Sequence, residues 1–445
     1  VERPNIIFVF SDQQRWDTCG CYGQPLPTTP NLDSMAEQGT LFKNTFSCQP
    51  VCGPARACIQ TGRYPTEIDC HTNNKMLPAD EQTIAKILSA EGYETAYIGK
   101  WHLASKGKSG GPDDFKTQPV PPERRGGYQD FWLASDLLEF TSHGYDGYMF
   151  DGDMNRRDFP DGRYRVDVQT DWAIEYLNNR NTDNPFFLFI SYIEPHHQND
   201  HNHYEGPNGS KDRYRDFVVP GDLEGTEGDW REEYPDYLGC IHSLDENVGR
   251  LRSELEKLGI ADNTVVIYTS DHGSHFRTRN NEYKRSCHES SIRIPFIACG
   301  PGFAGGNVVD DLVSTIDFAP TMLRAAGIDT PGTMSGNPLQ NLVNGTAANR
   351  PEDVFIQISE SQCGRALRTG KWKYSVSAPD VNGVKVSAHD VYVEEFLYDL
   401  KNDPHERTNL VASPDHAEVR AELRERLKQR IGEAEKQIPE IRPIG

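Results

Sequence analysis

Four short apolar runs constrain this chain more than any other feature. Each has the length of a buried strand, and each stops at a polar group capable of chemistry. Asn5 to Phe10 leads into Ser11-Asp12-Gln13, and Thr95 to Ile98 leads into Gly99-Lys100-Trp101-His102. Phe186 to Ile193 runs into Glu194-Pro195-His196, and Thr264 to Thr269 into Ser270-Asp271-His272-Gly273. Helical patterns lie between them. Thr83 to Ala90 sets Ile84, Ile87 and Leu88 on one face with Gly92 as a C-cap candidate, and Tyr237 to Leu258 repeats apolar positions at 238, 241, 244, 248, 251, 255 and 258. Strands alternating with helices imply a mostly parallel sheet covered on both faces. Ligands bind beyond the carboxyl ends of such strands, so Asp12, Lys100, His102, His196, Asp271 and His272 are expected to converge on one crevice.

After about residue 350 the pattern changes. Val354 to Ser359, Arg365 to Val376 and Tyr392 to Asp399 read as short strands, and about His416 to Glu435 as a helix. This predicts a large α/β unit over 1–350 and a small α+β unit over 351–445. The Gly-, Pro- and charge-rich stretches 110–165 and 198–230 are expected to be long loops that wall a pocket. With 46 basic against 67 acidic side chains the formal charge is −21, which argues against a nucleic-acid partner. No apolar run approaches the roughly 18 residues of a membrane span. The ten cysteines are too sparse for a disulfide framework and lack paired zinc-ligand spacings. The chain starts at Val1, and export to a periplasmic or extracellular location is expected, with the signal peptide outside this sequence.

From Cys48 the chain reads CQPVCGPARACIQTGRYP, where Pro54 suits the first turn of a helix and Gly62 its end. Cys52 therefore sits at a helix N-terminus, where unpaired N–H groups favour an anion and lower a thiol pKa. Arg56 adds a positive charge one turn on. Taken alone, this predicts a nucleophile above an anion site.

With these residues in place, the chain resembles the type I, formylglycine-dependent sulfatases of the alkaline phosphatase superfamily. Cys52-Gly53-Pro54-Ala55-Arg56 followed by Thr61-Gly62-Arg63 fits the family's Cys-x-Pro-x-Arg signature. Pro4 to Ile7 with Asp12-Gln13, Thr29 to Asp33, the segments ending at His102, His196 and Gly273, the run Lys284 to Pro295, and Leu397 through Leu410 fit in the family's order. The resemblance implies an alkaline-phosphatase-like α/β fold, with a large mostly parallel sheet flanked by helices and a C-terminal α+β subdomain carrying an antiparallel sheet. It implies oxidation of Cys52 to formylglycine (3-oxoalanine) by a formylglycine-generating maturation enzyme. Calcium, or alternatively manganese or magnesium, would be held by Asp12, Gln13, Asp271, His272 and an oxygen of modified Cys52. Many relatives carry a second Asp at 13 and Asn at 272; Gln13 keeps a carbonyl oxygen, and an imidazole suits transition metals better than calcium.

The resemblance further implies sulfate-ester hydrolysis. Arg56, Lys100 and Lys284 would balance charge on the sulfate, Asp271 would accept a proton, His196 or Lys284 would protonate the leaving alcohol, and His102 would act as the second base. A sulfated carbohydrate is the expected substrate, because the long loops and the polar segment with His275, Arg277, Arg279 and Asn281 suit a hydroxyl-rich ligand; His275 and Arg277 are candidate contacts. A phosphonate monoester or phosphodiester hydrolase of the same superfamily is the alternative enzyme. A sulfated-glycan binder without turnover is the third reading, should Cys52 stay a thiol. The sequence leaves the oligomeric state open.

Overall fold

The computed structural model describes residues 3–106, 110–111, 113–180, 183–347 and 351–444. The strands of the main sheet are, in chain order, β1 (Asn5–Ser11), β2 (Thr40–Phe46), β3 (Glu94–Lys100), β4 (Phe131–Ser135), β5 (Tyr148–Asp151), β6 (Arg156–Asp158), β7 (Phe186–Ser191), β8 (Thr264–Ser270), β9 (Arg293–Ile294), β10 (Phe296–Cys299) and β11 (Asn307–Ser314). They lie in the order β11-β2-β10-β8-β1-β7-β3-β4-β5-β6, with β9 paired to β2. The five central strands β8-β1-β7-β3-β4 are all parallel. Antiparallel pairs flank them, through β10 on one side and β5 and β6 on the other.

The central strands are apolar throughout because both faces are covered. Alternate residues of β1 separate into two cores. Ile6, Phe8 and Phe10 pack with Ile59, Leu88 and Phe318, while Ile7 and Val9 pack with Ala173, Leu244 and Val248. Helices Cys52–Thr61, Ile84–Ala90 and Phe318–Ala325 cover the first face, and Arg165–Asn179 and Trp230–Lys257 the second. Local signals work as their chemistry requires. The Thr83 hydroxyl caps its helix by accepting from the Lys86 N–H, and Gly62 ends the Cys52 helix in the left-handed region at φ 65°.

A second sheet follows, formed by β12 (Asp353–Ile358), β13 (Cys363–Thr369), β14 (Trp372–Ala378), β15 (Val391–Asp399) and β16 (Glu440–Arg442). The first four are antiparallel and β16 adds to β15 in parallel. Its core joins Leu367, Tyr374 and Leu427 to Cys58 and Tyr64, so this sheet backs the Cys52 helix. The expected division at residue 350 falls on 348–350, outside the described residues.

Two expectations are corrected. The stretch 110–165 is not a continuous loop: it contains β4, β5 and β6, and β4 extends the parallel sheet beside β3. The apolar run that becomes β4, Phe131 to Ala134, is short and sits among glycines and charges. The single strand expected over 365–376 is a hairpin, β13 and β14, whose Thr369 hydroxyl accepts from the Trp372 N–H at the turn.

Candidate active site

The carboxyl ends of β1, β3, β7 and β8 deliver Asp12, Lys100, His196 and Asp271 to one place, and the Cys52 helix points its first residue at them. Cys52 is 1% exposed and all ten residues of its helix are buried. Its Sγ donates to Asp12 Oδ1 at 3.5 Å, lies 3.2 Å from His272 Nε2, and accepts from Lys284 Nζ at 3.0 Å. Lys284 Nζ also donates to Gln13 Oε1 at 3.2 Å and to His196 Nε2 at 3.1 Å. Asp12 Oδ2 meets Arg56 Nη2 at 2.9 Å and Lys100 Nζ at 2.9 Å. Thus Asp12, Gln13, Cys52, Arg56, Lys100, His196, His272 and Lys284 form one connected set, with Arg56 Nε 3.8 Å from Asp271 Oδ2. His102 is buried beside it: its N–H donates to the Asp136 carbonyl, and its ring feels the charges of Lys100 and Arg56.

Backbone strain accompanies this arrangement. Gln13 and His102 both lie in the left-handed region, at φ 71° and 57°, which costs of order 1–3 kcal/mol per residue and persists only where the surroundings enforce it. At Gln13 they do so with the side-chain amide donating to Tyr204 Oη at 2.6 Å and the backbone N–H donating to Asp271 Oδ1 at 3.0 Å. The amide oxygen is thereby left facing the site.

Electrostatics divide the two carboxylates. Burial alone would raise the Asp12 carboxyl, but the charges of Lys100, Arg56 and Lys284 hold it well below the usual carboxylate range. Burial and then repulsion from Asp12 push Asp271 up to about 7, against Arg56 and Lys284. His102, His196 and His272 are all pushed well below the ordinary imidazole value, first by burial and then by the neighbouring lysines. The thiol corrects an expectation. Burial and the Asp12 charge push Cys52 up to about 12, outweighing Lys284 and Lys100, so Cys52 as a cysteine is a neutral thiol.

The donors fit a divalent cation. Ligand atoms of Asp12, Cys52, Asp271 and His272 all lie within 4.8 Å of one another. His272 Nδ1–H donates to the Gly273 carbonyl at 3.0 Å, which leaves Nε2 as a bare lone pair. That lone pair sits 3.7 Å from Asp12 Oδ1 and 3.5 Å from Asp271 Oδ1, acceptor against acceptors, a juxtaposition that a cation resolves. Asp271 Oδ2 is buried with no hydrogen-bond partner among the described residues.

Sequence reasoning placed no role on the residues that hold this set. Glu139 pairs with Lys100 at 3.2 Å, and Asp136 accepts from the backbone N–H groups of Leu103, Ala104 and Ser105. Tyr204 and Ser274 fix Gln13, and a buried Arg165–Glu194 pair at 2.8 Å anchors the turn before His196. Glu194 lies in the motif that ends at His196, and the others are lone residues without a pattern to mark them. The two candidate substrate contacts lie apart from the central set. His275 is buried with Nε2 against the Lys284 carbonyl at 3.1 Å, whereas Arg277 reaches the surface, donates to Asn202 Oδ1 at 2.9 Å and stacks on Tyr283.

A mixed sheet with a crevice of carboxylates, imidazoles and fixed cations at the carboxyl ends of its parallel strands is the architecture of hydrolases of the alkaline phosphatase type. The sulfatase family matches residues 4–328, and the chain belongs to that family. It is therefore a sulfuric ester hydrolase and a metal-dependent one. Residues 281–433 also match the C-terminal region described for N-sulphoglucosamine sulphohydrolase. An ulvan-active sulfatase of Formosa agariphila is 29% identical, covering 97% of this chain and 81% of its own length. An N-acetylglucosamine-6-O-sulfatase of Bacteroides thetaiotaomicron is 27% identical, covering 96% and 86%. A protein solved with its substrate D-glucosamine-2-N,6-O-disulfate superposes with a TM-score of 0.78 at 25% identity, over 98% and 99% of the two chains. A phosphonate monoester hydrolase of Agrobacterium radiobacter shares the fold, with a TM-score of 0.70 at 21% identity over 97% and 96%.

Proposed function

We propose that the chain hydrolyses sulfate esters on a sulfated carbohydrate, through a formylglycine made from Cys52 by a maturation enzyme and with calcium as the ion. The convergence of Lys284, His196, Asp12 and His272 on residue 52 carries this reading. The hydrated aldehyde supplies an oxygen nucleophile where the thiol, pushed up to about 12, supplies none. Asp12, Gln13, Asp271 and His272 together with residue 52 would hold the calcium ion, which when bound would supply Lewis acidity and positive charge at this position.

This chain's own groups do the rest. Arg56, Lys100 and Lys284 bring fixed positive charge to sulfate oxygens whose charge must be balanced in the transition state. Asp271, whose Oδ2 lacks a partner among the described residues, takes the first proton at residue 52. His196 Nε2, supplied by Lys284 Nζ at 3.1 Å, gives a proton to the departing alcohol oxygen. His102, neutral and buried, takes the second proton as sulfate leaves.

Sugar specificity rests on the ulvan-active and N-acetylglucosamine relatives and on the disulfated glucosamine complex. Arg277 contacts the sugar beyond the sulfate, while His275 acts by holding the Lys284 backbone. In this reading 1–350 is the catalytic domain, 351–445 a subdomain that supports the Cys52 helix, and the protein is exported to meet polymeric substrate. The test is the mass of the peptide containing residue 52, from protein made with its maturation enzyme, followed by assays with an aryl sulfate, an aryl phosphonate and sulfated oligosaccharides. Aldehyde at 52 with sulfate release from a sulfated sugar is expected. Preference for the phosphonate, or tight glycan binding by an unmodified thiol without turnover, would overturn it.

A further inference from the structure

One carboxylate beyond the crevice reaches toward Cys52 along two routes. Glu360 lies just past β12 in the second sheet, with its side chain 7% exposed and both oxygens engaged. Oε1 accepts from the Asn73 N–H at 2.6 Å, and Oε2 meets Arg285 Nη2 at 2.6 Å. On the first route, Asn73 Oδ1 accepts from the Gly53 N–H at 2.9 Å. On the second, Arg285 directly follows Lys284, whose Nζ lies 3.0 Å from Cys52 Sγ, and the Arg285 N–H donates to the Pro50 carbonyl at 3.2 Å. Glu282 also meets Arg285, at 3.2 Å, but is half exposed, so Glu360 is the buried anchor of the guanidinium.

The first route does what the Cys52 helix cannot do for itself. Val51, at the N-cap, has no side chain able to accept, and Pro54 has no N–H, so the Gly53 N–H depends on an acceptor from elsewhere in the chain. A peptide unit is planar, so pinning that N–H also pins the carbonyl of residue 52 and the direction in which its Cβ leaves. The fit is close: a Cβ at position 53 would stand 3.1 Å from Asn73 Oδ1. The second route is strained. Arg285 and Glu360 both lie in the left-handed region, at φ 66° and 67°, which non-glycine residues hold only where the surroundings enforce it.

We propose that Glu360 and Asn73 are positioning residues of this active site: a carboxylate of the second sheet sets residue 52 through Asn73 and Lys284 through Arg285. They act through the Gly53 N–H and the Lys284–Arg285 backbone, not on the reacting atoms. The inference rests on residue 52 and Lys284 working as proposed above. A misplacement of about 1 Å costs on the order of 10²-fold in rate, and each route guards against one.

Steady-state kinetics with an aryl sulfate test this, on matured protein and per mole of aldehyde at residue 52 counted by peptide mass. Asn73→Ala is expected to lower kcat by about 10²-fold with KM within about threefold of wild type. Asn73→Asp restores the acceptor and should return kcat to within about tenfold of wild type, the remainder being the charge it adds. Glu360→Gln keeps an oxygen for the Asn73 N–H and loses the Arg285 ion pair, so kcat should fall by about tenfold at unchanged KM. Being near-isosteric, it also serves where Asn73→Ala folds poorly. Values of kcat within about twofold of wild type in both Asn73→Ala and Glu360→Gln would overturn the proposal, as would a loss carried by KM, the mark of a substrate contact. Cys52→Ala measured in parallel keeps the two claims apart. Full activity there overturns the role of residue 52 and this proposal with it, whereas an inactive Cys52→Ala beside an undiminished Asn73→Ala overturns the positioning alone.

Discussion

Two buried clusters of mixed charge stand at opposite ends of the Lys284–Glu289 segment, and they are built on different principles. The second joins Glu289 to the C-terminal sheet. Lys373 Nζ lies 2.7 Å from Glu289 Oε1 and 2.6 Å from Glu406 Oε1, and Arg368 reaches Glu289 Oε2 at 3.2 Å. Two carboxylates face two cations, and Glu406 Oε2 also accepts from the Glu289 N–H at 2.8 Å. In the cluster around Cys52, by contrast, Arg56 Nε, His102 Nδ1, His196 Nδ1 and Asp271 Oδ2 have no hydrogen-bond partner among the described residues. Buried polar atoms are almost always paired, so a cluster that closes on itself holds a fold together, and one left open awaits a ligand.

Cys52→Ala should open the widest gap between the two. We expect kcat/KM toward an aryl sulfate to fall by about four orders of magnitude or more, with Tm essentially unchanged; activity within tenfold of wild type would break the distinction. Lys373→Met should do the reverse. Stranding Glu289 and Glu406 is expected to cost about 3–5 kcal/mol in urea denaturation, with kcat per folded molecule preserved. Lys284→Met should lower kcat/KM by about 10²- to 10³-fold with little change in stability, because Arg56 and Lys100 still compensate Asp12. A chelator applied to matured, ion-loaded enzyme should remove activity together with about 2–3 kcal/mol of stability, the linkage expected at roughly hundredfold saturation. A loss of the same size in the Asp12→Ala variant would place the ion elsewhere.

The smallest effect is a pH slope. Burial alone would raise the Glu289 carboxyl, but Arg368, Lys373 and Arg293 hold it well below the usual range. A depressed folded pKa means stability that is complete above the unfolded value of about 4.3 and lost as pH falls toward the folded one. Glu289→Gln should therefore be less stable than wild type near neutrality and lose less between about pH 5 and pH 3, where denaturation midpoints would show the shallower slope. Glu406, raised by burial, works in the opposite direction, so an unchanged slope in Glu289→Gln would assign the acid sensitivity to other carboxylates.

Much of this was legible in the sequence for a physical reason. A parallel strand buried on both faces must be a continuous apolar run, and its carboxyl end is where polar side chains can re-enter. Asp12, Lys100, His196 and Asp271 could therefore be read from position alone. What could not be read depends on distant partners. Glu139 and Asp136 follow a strand, β4, whose apolar run is short, and Tyr204 matters only because the fold carries it to Gln13. The Cys52 thiol shows the same limit. A helix N-terminus and Arg56 are local and visible, while the burial and the Asp12 charge that raise the thiol are products of the whole fold.

The enclosure of Cys52 also bears on timing. A side chain 1% exposed, on a helix with every residue buried and a second sheet packed behind it, is beyond the reach of another protein once the chain has closed. Any enzyme that alters residue 52 must finish before β8 and Lys284, more than two hundred residues downstream, come in over it. With the maturation of Cys52 proposed above, the competent fraction of a preparation would record a race between catalyst and folding. Substitutions that only slow closure, far from the crevice, would raise that fraction, and faster folding would yield more molecules that are intact and inert.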